Sequence, residues 1–168
     1  AGHAPFETTT LNLAQVVTMY TREHEKAAQE KNIQLNVQAD DADVAVQADE
    51  EAFRQILDNL VTNAIKYTGE GGHVRIGWKP AGTHVILEVE DDGIGIPKKH
   101  QGRVFERFYR VDKARSREMG GTGLGLAIVK HLAQAQGGSV WLESEYKKGS
   151  IFRVRLIAAN VPALVGAE

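Results

Sequence analysis

The stretch DDGIGIP, residues 91–97, constrains this 168-residue chain more than any other feature. Residues 85–90 before it alternate apolar and polar side chains, which is the period of a half-buried strand. Gly93 and Gly95 then allow backbone conformations that a side chain forbids, and they let another group approach the main chain closely. Asp91, at the end of the strand, can accept a hydrogen bond from a ligand that rests on the turn. The pattern predicts either an ordinary strand-ending turn or one wall of a ligand pocket.

The composition is that of a globular domain and excludes several kinds of site. Hydrophobic residues make up 42% of the chain and charged residues 25%, which is ordinary for such a domain. The chain contains no cysteine, which excludes disulfides, thiolate nucleophiles and thiolate zinc sites. A net charge of -2 gives no general attraction to nucleic acid, so we expect no nucleic-acid partner. No apolar run approaches the roughly 20 residues that span a bilayer.

The chain begins Ala1-Gly2-His3 without an initiator methionine, so we expect a piece excised from a longer protein. We expect residues 1–5 to be a vector remnant or linker and residues 158–168 to be a tail. Residues 6–157 between them are long enough to form one domain with a sizeable core.

Residue periodicity predicts a mixed domain with three main helices and six or seven strands. Asp49, which two acids follow, is a good N-cap for the second helix. Helices are predicted over residues 13–32, 50–67 and 124–136, and residues 98–101 form either a loop or a short helix. Strands are predicted over residues 6–11, 33–38, 44–47, 73–79, 85–91, 139–145 and 150–156, with a hairpin turn at residues 80–83.

The helix predicted over residues 50–67 carries a polar cluster beside its apolar stripe. Asn59, Asn63 and Lys66 lie together there at about 100° per residue. Asn is a mediocre helix former, so two of them one turn apart indicate either satisfied polar contacts or a functional role. An amide oxygen suits Mg²⁺, which usually takes one or two protein oxygens and fills its other positions with phosphate and water. Lys66 would then face anionic oxygens.

An aromatic and arginine-rich stretch, residues 104–110, follows the glycine turn. Phe105 and Phe108 are three residues apart and are predicted to bury on one side of a short turn. Arg107 and Arg110 have the same spacing and are predicted to share the opposite side. Residues 111–122 are rich in charges and lack periodicity, which predicts either a lid over a site or a plain loop.

A glycine-rich loop opens the third predicted helix. Gly121, Gly123 and Gly125 precede a helix whose buried stripe is predicted as Leu124, Ile128, Leu132 and Ala135. Unpaired backbone N–H groups at such a helix start, with the helix dipole behind them, favour an anion, most often phosphate. The alternative is that the glycines serve only a tight turn and close packing. The loop matches neither the Walker A pattern nor the Rossmann fingerprint.

Four stretches stand in a fixed order, NLVTNAIKYT, DDGIGIP, VFERFYR and GGTGLGLAIVK, and GSIFRVRL follows them. Together they resemble the ATP-binding catalytic domain of bacterial sensor histidine kinases, in which they are the N box, the first glycine box, the F box, and the second and last glycine boxes. The resemblance spans residues 6–156. It implies the α+β fold of the gyrase and heat-shock chaperone ATPases, a two-layer sandwich of a mixed, mostly antiparallel sheet with three main helices on one face.

The resemblance implies a role for each matched residue. Asp91 would accept the exocyclic amine of adenine and select ATP over GTP, and Asn63 would hold Mg²⁺ against the triphosphate. The implied catalytic residues are Asn59, Lys66 and Arg110. The implied nucleotide-binding residues are Asn63, Tyr67, Asp91, Gly93, Gly95, Ile96, Gly121, Thr122, Gly123, Leu124, Gly125 and Leu126. Family members usually end the domain with a Leu-Pro pair, whereas Ile157 follows Leu156 here, so the end of the last strand stays open.

The implied activity is transfer of the γ-phosphate of Mg-ATP to a histidine on a separate dimerisation domain, because none of the six histidines stands in a phosphoacceptor motif. That domain and a downstream response regulator are the implied partners. The fragment is expected to be monomeric and cytoplasmic, and the full-length protein to be a homodimer anchored in the cell membrane. A nucleotide-sensing module, or a related ATPase or serine kinase of the same fold, is the alternative.

Overall fold

The computed structural model of this protein describes residues 6–38, 43–111 and 123–159. In chain order the described elements are β1 (Thr8–Asn12), α1 (Leu13–Thr21), α2 (Glu25–Glu30), β2 (Gln34–Gln38), β3 (Ala45–Asp49), α3 (Glu50–Tyr67), β4 (His73–Ala81), β5 (His84–Asp91), α4 (Lys98–Gln101), α5 (Gly125–Ala135), β6 (Ser139–Glu145) and β7 (Gly149–Ala158). Among these described helices, none combines the length and the apolar character that crossing a bilayer requires.

The strands form one sheet in the order β1-β3-β7-β5-β4-β2, and β6 also pairs with β7. The β2–β4 pair is parallel and the other pairs are antiparallel, which confirms the mixed, mostly antiparallel sheet. One face of the sheet is buried in a single core with α1, α3 and α5. On the opposite face the Glu88 carboxylate pairs with Arg75 at 3.1 Å and with Arg153 at 2.7 Å. The sheet and the helices on its buried face are the two layers of the predicted sandwich.

Helix α3 has the predicted bounds because its local signals agree with one another. The Asp49 side chain accepts a hydrogen bond from the N–H of Ala52 at 2.8 Å, and Glu50 and Glu51 occupy the first turn, where the helix dipole favours acids. The predicted apolar stripe, including Phe53 and Leu60, is buried. The helix therefore presents its polar side, with Asn59 and Asn63, next to this stripe.

The single helix predicted over residues 13–32 is wrong in its middle, where the turn Arg22–His24 tightens into a 3₁₀-helix. No residue of this turn is buried, so apolar packing does not hold it in α geometry. Its polar side chains instead reach α3, where Glu23 pairs with Arg54 at 2.9 Å and His24 pairs with Asp58 at 2.8 Å.

Two strands are longer than predicted. β4 continues through Pro80 to Ala81, so the hairpin turn before β5 contains only Gly82 and Thr83. β7 continues past Leu156 to Ala158, whose N–H donates to the carbonyl of Thr83 at 3.0 Å. These extra residues also pair with β3, which explains why the strand does not stop at Leu156.

The predicted buried stripe of α5 is wrong at Ile128 and Ala135, whereas Leu132 packs partly buried against the core. Val129 and Ala133 are its fully buried residues, whereas Ile128 is 37% exposed. Ala135 is exposed as well. Almost every position of GLAIVKHLA is apolar, so periodicity alone does not determine which side of the helix is buried. Packing of α5 against α3 and β6 makes that choice.

Candidate functional site

A cavity of about 370 Å³ lies between α3, the turn after β5 and the start of α5. Most of the residues that the sequence singled out line it: Asn59, Asn63, Lys66, Tyr67, Asp91, Gly95, Ile96, Arg110, Gly123, Leu124, Gly125 and Leu126. Gly93 lies beside them and donates its N–H to Asp91. Gly121 and Thr122 lie outside the described residues. Three stretches that are far apart in sequence therefore form one concave site.

Sequence reasoning missed eight residues that line the same cavity: Thr62, Ile94, Val104, Tyr109, Val111, Ile128, Ser150 and Phe152. Most of them are apolar walls, and their types carry no signal of a binding site. Ser150 is different, because the β5–β7 register places it directly opposite Asp91. Ser150 belongs to the matched stretch GSIFRVRL, but only the register of the paired strands places it beside Asp91.

Asp91 is a buried carboxylate that faces the cavity, with 7% of its surface exposed. Its Oδ1 accepts the N–H of Gly93 at 2.9 Å. Burial raises the pKa of Asp91 to about 6, although hydrogen bonds from the backbone N–H groups of Gly93 and Ser150 lower it. Because the pKa is raised, ionising this carboxyl costs free energy in the empty site. A ligand that donates a hydrogen bond to the carboxylate offsets that cost.

The glycine turn after β5 is held tightly between α3 and the β6–β7 hairpin. A Cβ on Gly93 would lie 2.3 Å from the carbonyl oxygen of Tyr67, and one on Gly95 would lie 2.0 Å from that of Glu145. The N–H of Ile94 donates to the Tyr67 carbonyl at 3.2 Å. Both glycines are therefore required by the fold itself, in addition to any approach of a ligand to the backbone.

Gly95→Ala is expected to destabilise the protein by clearly more than Gly82→Ala. Both glycines have a positive φ, 68° and 67°, so each substitution costs about 1 kcal/mol of backbone strain. Only Gly95 also meets a backbone oxygen, whereas nothing lies within 4 Å of a Cβ at Gly82. Urea unfolding of the two variants measures the difference. Equal losses would show that the turn moves away from Glu145 at no cost.

The polar end of the cavity lies along α3. The Asn59 Nδ2 donates to the carbonyl of Gln55 at 2.9 Å, and its Oδ1 lies 3.1 Å from the position of a Cβ on Gly125. The Asn63 side chain, one turn further, makes no hydrogen bond to another described residue. The Lys66 side chain follows on the same side and also lines the cavity. Asn59 thus supports the start of α5, while Asn63 and Lys66 are available to a ligand.

The described residues suit a metal ion that binds together with a ligand. They suit less well a metal ion that protein side chains alone would hold. They contain no group of three or more His, Cys, Asp or Glu side chains placed to hold a metal. Asn63 lines the cavity, and its side-chain amide offers a hard, neutral oxygen. Mg²⁺ accepts such an arrangement, with one protein oxygen and the remaining positions filled by phosphate and water.

The prediction for residues 104–110 is wrong: the two phenylalanines do not bury on one side of a turn, and the two arginines do not share the opposite side. Phe105 packs edge-on against Phe152 at 6.0 Å between ring centroids, whereas Phe108 is 63% exposed. Phe108 has φ 65°, which breaks the helical spacing that the prediction assumed. Arg110 lines the cavity, and the Arg107 guanidinium lies 5.6 Å from the Phe108 ring instead.

The segment predicted as a lid lies mostly outside the described residues, which resume at Gly123. Its two flanks are joined by a 2.7 Å hydrogen bond from the N–H of Phe108 to the carbonyl of Gly123. Tyr109, beside this bond, hydrogen-bonds to His100 of α4. The flanks are thus anchored at the rim of the cavity.

Comparison with known families and relatives agrees with this geometry. The family described as "Histidine kinase-, DNA gyrase B-, and HSP90-like ATPase" matches residues 48–160. The sensor histidine kinase WalK of Bacillus subtilis is 47% identical over 123 residues, which cover 72% of this chain and 20% of WalK. The sensor-like histidine kinase SenX3 of Mycolicibacterium smegmatis is 42% identical over 146 residues, which cover 87% of this chain and 38% of SenX3. The chain thus spans less than half the length of these relatives.

Solved structures show the same fold. The catalytic domain of histidine kinase ThkA superposes with a TM-score of 0.80 at 30% identity, covering 90% of this chain and 96% of that domain. Full-length ShkA in complex with AMPPNP has a TM-score of 0.82 at 30% identity, covering 96% of this chain and 34% of ShkA. ThkA in complex with the response regulator TrrA has a TM-score of 0.75 at 27% identity, covering 90% of this chain and 42% of ThkA.

Proposed function

The chain belongs to the family of histidine kinase-, DNA gyrase B- and HSP90-like ATPases, and on that premise we propose that it carries the kinase step of a sensor histidine kinase. It binds Mg-ATP in the cavity and donates the γ-phosphate to a histidine on a separate dimerisation domain. The observation that carries this proposal is a single cavity that is lined both by a buried acceptor, Asp91, and by the polar side chains of Asn63 and Lys66.

The groups that line the cavity suit both the base and the phosphates of ATP. The ionised Asp91 accepts the exocyclic amine of adenine, and the apolar walls at Ile94, Ile96 and Phe152 cover the faces of the base. The phosphates lie toward Lys66 and the start of α5, where backbone N–H groups and the helix dipole favour anions. Arg110 adds a second cation at the cavity wall. The described part of the predicted glycine loop, Gly123–Gly125, also lines the cavity at the start of α5.

The Asn63 amide oxygen is the protein ligand for Mg²⁺ in this proposal, and Asn59 lines the cavity one turn before it on α3. The ion neutralises charge on the phosphates when it is bound. The chain's own contribution is to position the nucleotide and to place Lys66 and Arg110 near its anionic oxygens. Phosphoryl transfer depends mostly on such positioning and charge stabilisation.

The attacking histidine comes from outside the described part of the chain. Of its histidines, none lines the cavity. His24 and His73 pair with Asp58 and Asp92, each at 2.8 Å, and both pairs lie away from the cavity. A nucleophile that is tethered and aligned can contribute roughly 7–11 kcal/mol to lowering the barrier, so its absence leaves bound ATP unreactive.

The test is to incubate the purified chain with labelled ATP and Mg²⁺, with and without a helical dimerisation domain supplied in trans. We expect no label on the chain alone and acid-labile label on the helical domain. Acid-stable label would show serine phosphorylation, and nucleotide binding without transfer to any partner domain would show a sensing module. Label on this chain by itself that is lost in His24→Ala would overturn the proposal.

Phe108→Ala is expected to lower transfer to the supplied domain severalfold while ATP affinity and stability change little. The ring is 63% exposed at the cavity rim, where an aromatic side chain can anchor a partner. Phe105→Ala is the contrasting variant, because that ring packs against Phe152 and its loss should lower the melting temperature first. Unchanged transfer in Phe108→Ala at low partner concentration would exclude this ring from the interface.

A response regulator is the proposed acceptor of the phosphate after the histidine. Support comes from the complex of the related kinase ThkA with its response regulator TrrA. We further propose that the full-length protein is a homodimer through the dimerisation domain. Size-exclusion chromatography of this fragment should then give a monomer, and the fragment joined to its dimerisation domain should give a dimer.

A further inference from the structure

We propose that Ser144, whose side chain lies behind the cavity, makes the base pocket select 6-aminopurines against 6-oxopurines by fixing the direction of the Ser150 hydroxyl. Ser150 lines the cavity, and Ser144 does not. The inference rests on the proposed function, because it requires a purine to lie beside Asp91. It concerns which base the pocket accepts and not whether a nucleotide binds.

Ser150 and Asp91 form one edge of the pocket. They stand opposite each other in the antiparallel β5–β7 pair, where facing side chains have Cβ atoms about 4.5–5.5 Å apart. Both are buried, with 6% and 7% of their surfaces exposed, and both line the cavity. A base edge that meets the Asp91 carboxylate therefore also meets the Ser150 hydroxyl.

The direction of the Ser150 hydroxyl follows from the contacts of Ser144. The Ser144 Oγ lies 2.9 Å from the carbonyl oxygen of Gly149 and 2.8 Å from the Ser150 Oγ. Two oxygens at such distances attract only with a proton between them. The carbonyl has no proton to give, so the Ser144 hydroxyl donates to Gly149. The proton between the two serines must then come from Ser150.

A third contact completes the arrangement. The N–H of Ile96 donates to the Ser144 Oγ at 2.8 Å. A serine hydroxyl has one proton and two lone pairs. Ser144 therefore gives its proton to Gly149 and accepts from Ile96 and Ser150, which uses its full capacity. The Ser150 hydroxyl, whose proton is committed to Ser144, can offer the cavity only a lone pair.

The pocket edge thus presents two acceptors and no hydroxyl donor. The exocyclic amine of adenine carries two N–H donors and matches both Asp91 and Ser150. A 6-oxopurine places a carbonyl oxygen at the same position, where it faces two oxygens without a proton. Because a buried acceptor that meets another acceptor loses its hydrogen bond, this edge rejects hypoxanthine and guanine.

Ser144 also supports the glycine turn through Ile96, so a loss of affinity alone would not separate the two roles. Weakening of the turn lowers the affinity for every purine nucleotide, whereas release of the Ser150 proton changes the preference between two bases. The informative quantity is the ratio of the dissociation constants of IDP and ADP, which differ in the base alone. Without Ser144 the Ser150 hydroxyl can rotate and donate to a 6-oxo group.

The experiment is calorimetric titration of the chain with ADP and IDP in Mg²⁺, using Ser144→Ala, Ser144→Thr, Ser150→Ala and the double alanine variant. We expect Ser144→Ala to lower the IDP-to-ADP ratio about tenfold and Ser144→Thr, which keeps a hydroxyl, to retain most of the wild-type ratio. In the Ser150→Ala background the Ser144→Ala substitution should leave the ratio unchanged, because no hydroxyl remains to be turned.

Three results would overturn the inference, and they are distinguishable. If Ser144→Ala weakens ADP and IDP by the same factor, Ser144 only supports the turn, and the proposed function stands. If the ratio shifts equally in the Ser150→Ala background, Ser144 affects the choice of base without the Ser150 hydroxyl, and the proposed function again stands. If the wild-type chain binds neither nucleotide, the proposed function itself fails, and this inference fails with it.

Discussion

Asp91→Asn is expected to stabilise the unliganded protein at pH 8 by about 2–3 kcal/mol while weakening ATP binding about tenfold or more. Burial raises the pKa of Asp91 to about 6 in the folded protein, against about 3.9 in an unfolded chain. A carboxyl with a raised pKa stabilises the fold below pH 4, and that contribution is lost as the pH rises through 6. Above pH 6 the folded protein holds a costly buried charge, which the neutral amide removes.

The pH dependence separates this explanation from general repacking. The extra stability of Asp91→Asn over wild type should be present at pH 8, fall mainly between pH 6 and pH 4, and be mostly lost at pH 4. Urea unfolding at these three pH values measures it. An equal gain at pH 4 would contradict the assignment, because Asp91 is then protonated in the folded protein and the buried charge is absent.

Nucleotide binding should change in the opposite direction from stability. Removing the charged acceptor loses a buried hydrogen bond to the adenine amine, and the affinity of wild type for ATP should likewise fall as the pH drops below 6. Asp92→Asn is the matched control, since Asp92 pairs with His73 at 2.8 Å and does not line the cavity. Equal calorimetric affinity of wild type for ATP and GTP would refute the assigned role of Asp91.

Asn63→Ala is expected to lower phosphoryl transfer to a supplied dimerisation domain by about 100-fold or more while the melting temperature changes little. Loss of a side chain that only supports a metal ligand already costs roughly 10–100-fold, so loss of the ligand itself should cost at least that much. Asn63 is only partly buried, and its side chain makes no hydrogen bond to another described residue, so its removal leaves no partner unpaired.

The contribution of the metal can be isolated by titrating ADP with and without Mg²⁺. Wild type and Asn63→Ala should bind ADP alike without the metal, and only wild type should gain affinity when Mg²⁺ is added. Gln55→Ala controls for the change in helix propensity, because Gln55 is exposed on the same helix and does not line the cavity. A lower melting temperature with undiminished transfer per folded molecule would make Asn63 a structural contact.

Local signals were sufficient wherever neighbouring residues agreed with one another. The Asp49 cap, the acids that follow it and the apolar stripe determine the bounds of α3. The alternation of residues 85–90 and the glycines after Asp91 determine where β5 ends and the turn begins. The ordered sequence stretches identified the family and most of the residues that line the cavity, because a binding site of this kind needs those residue types at those places.

The phase of α5 and the positions of Phe105 and Phe108 were not predictable in this way. An almost wholly apolar helix can bury any side, so contacts with α3 and β6 decide which one it buries. Phe108 leaves the helical path at a positive φ, which no property of a phenylalanine side chain indicates. Sequence spacing therefore placed the two rings on one side, whereas the structure separates them.

The sequence by itself determined the family, the elements that carry the site and the identity of the buried carboxylate. Only the tertiary structure decided that Ser150 faces Asp91 and that the Ser144 hydroxyl accepts from Ile96, because both contacts join parts of the chain that are distant in sequence. Serine is common in strands and turns, and its hydroxyl can donate or accept. Its direction is determined only when the neighbouring oxygens of Gly149 and Ser144 take fixed places in the β6–β7 hairpin.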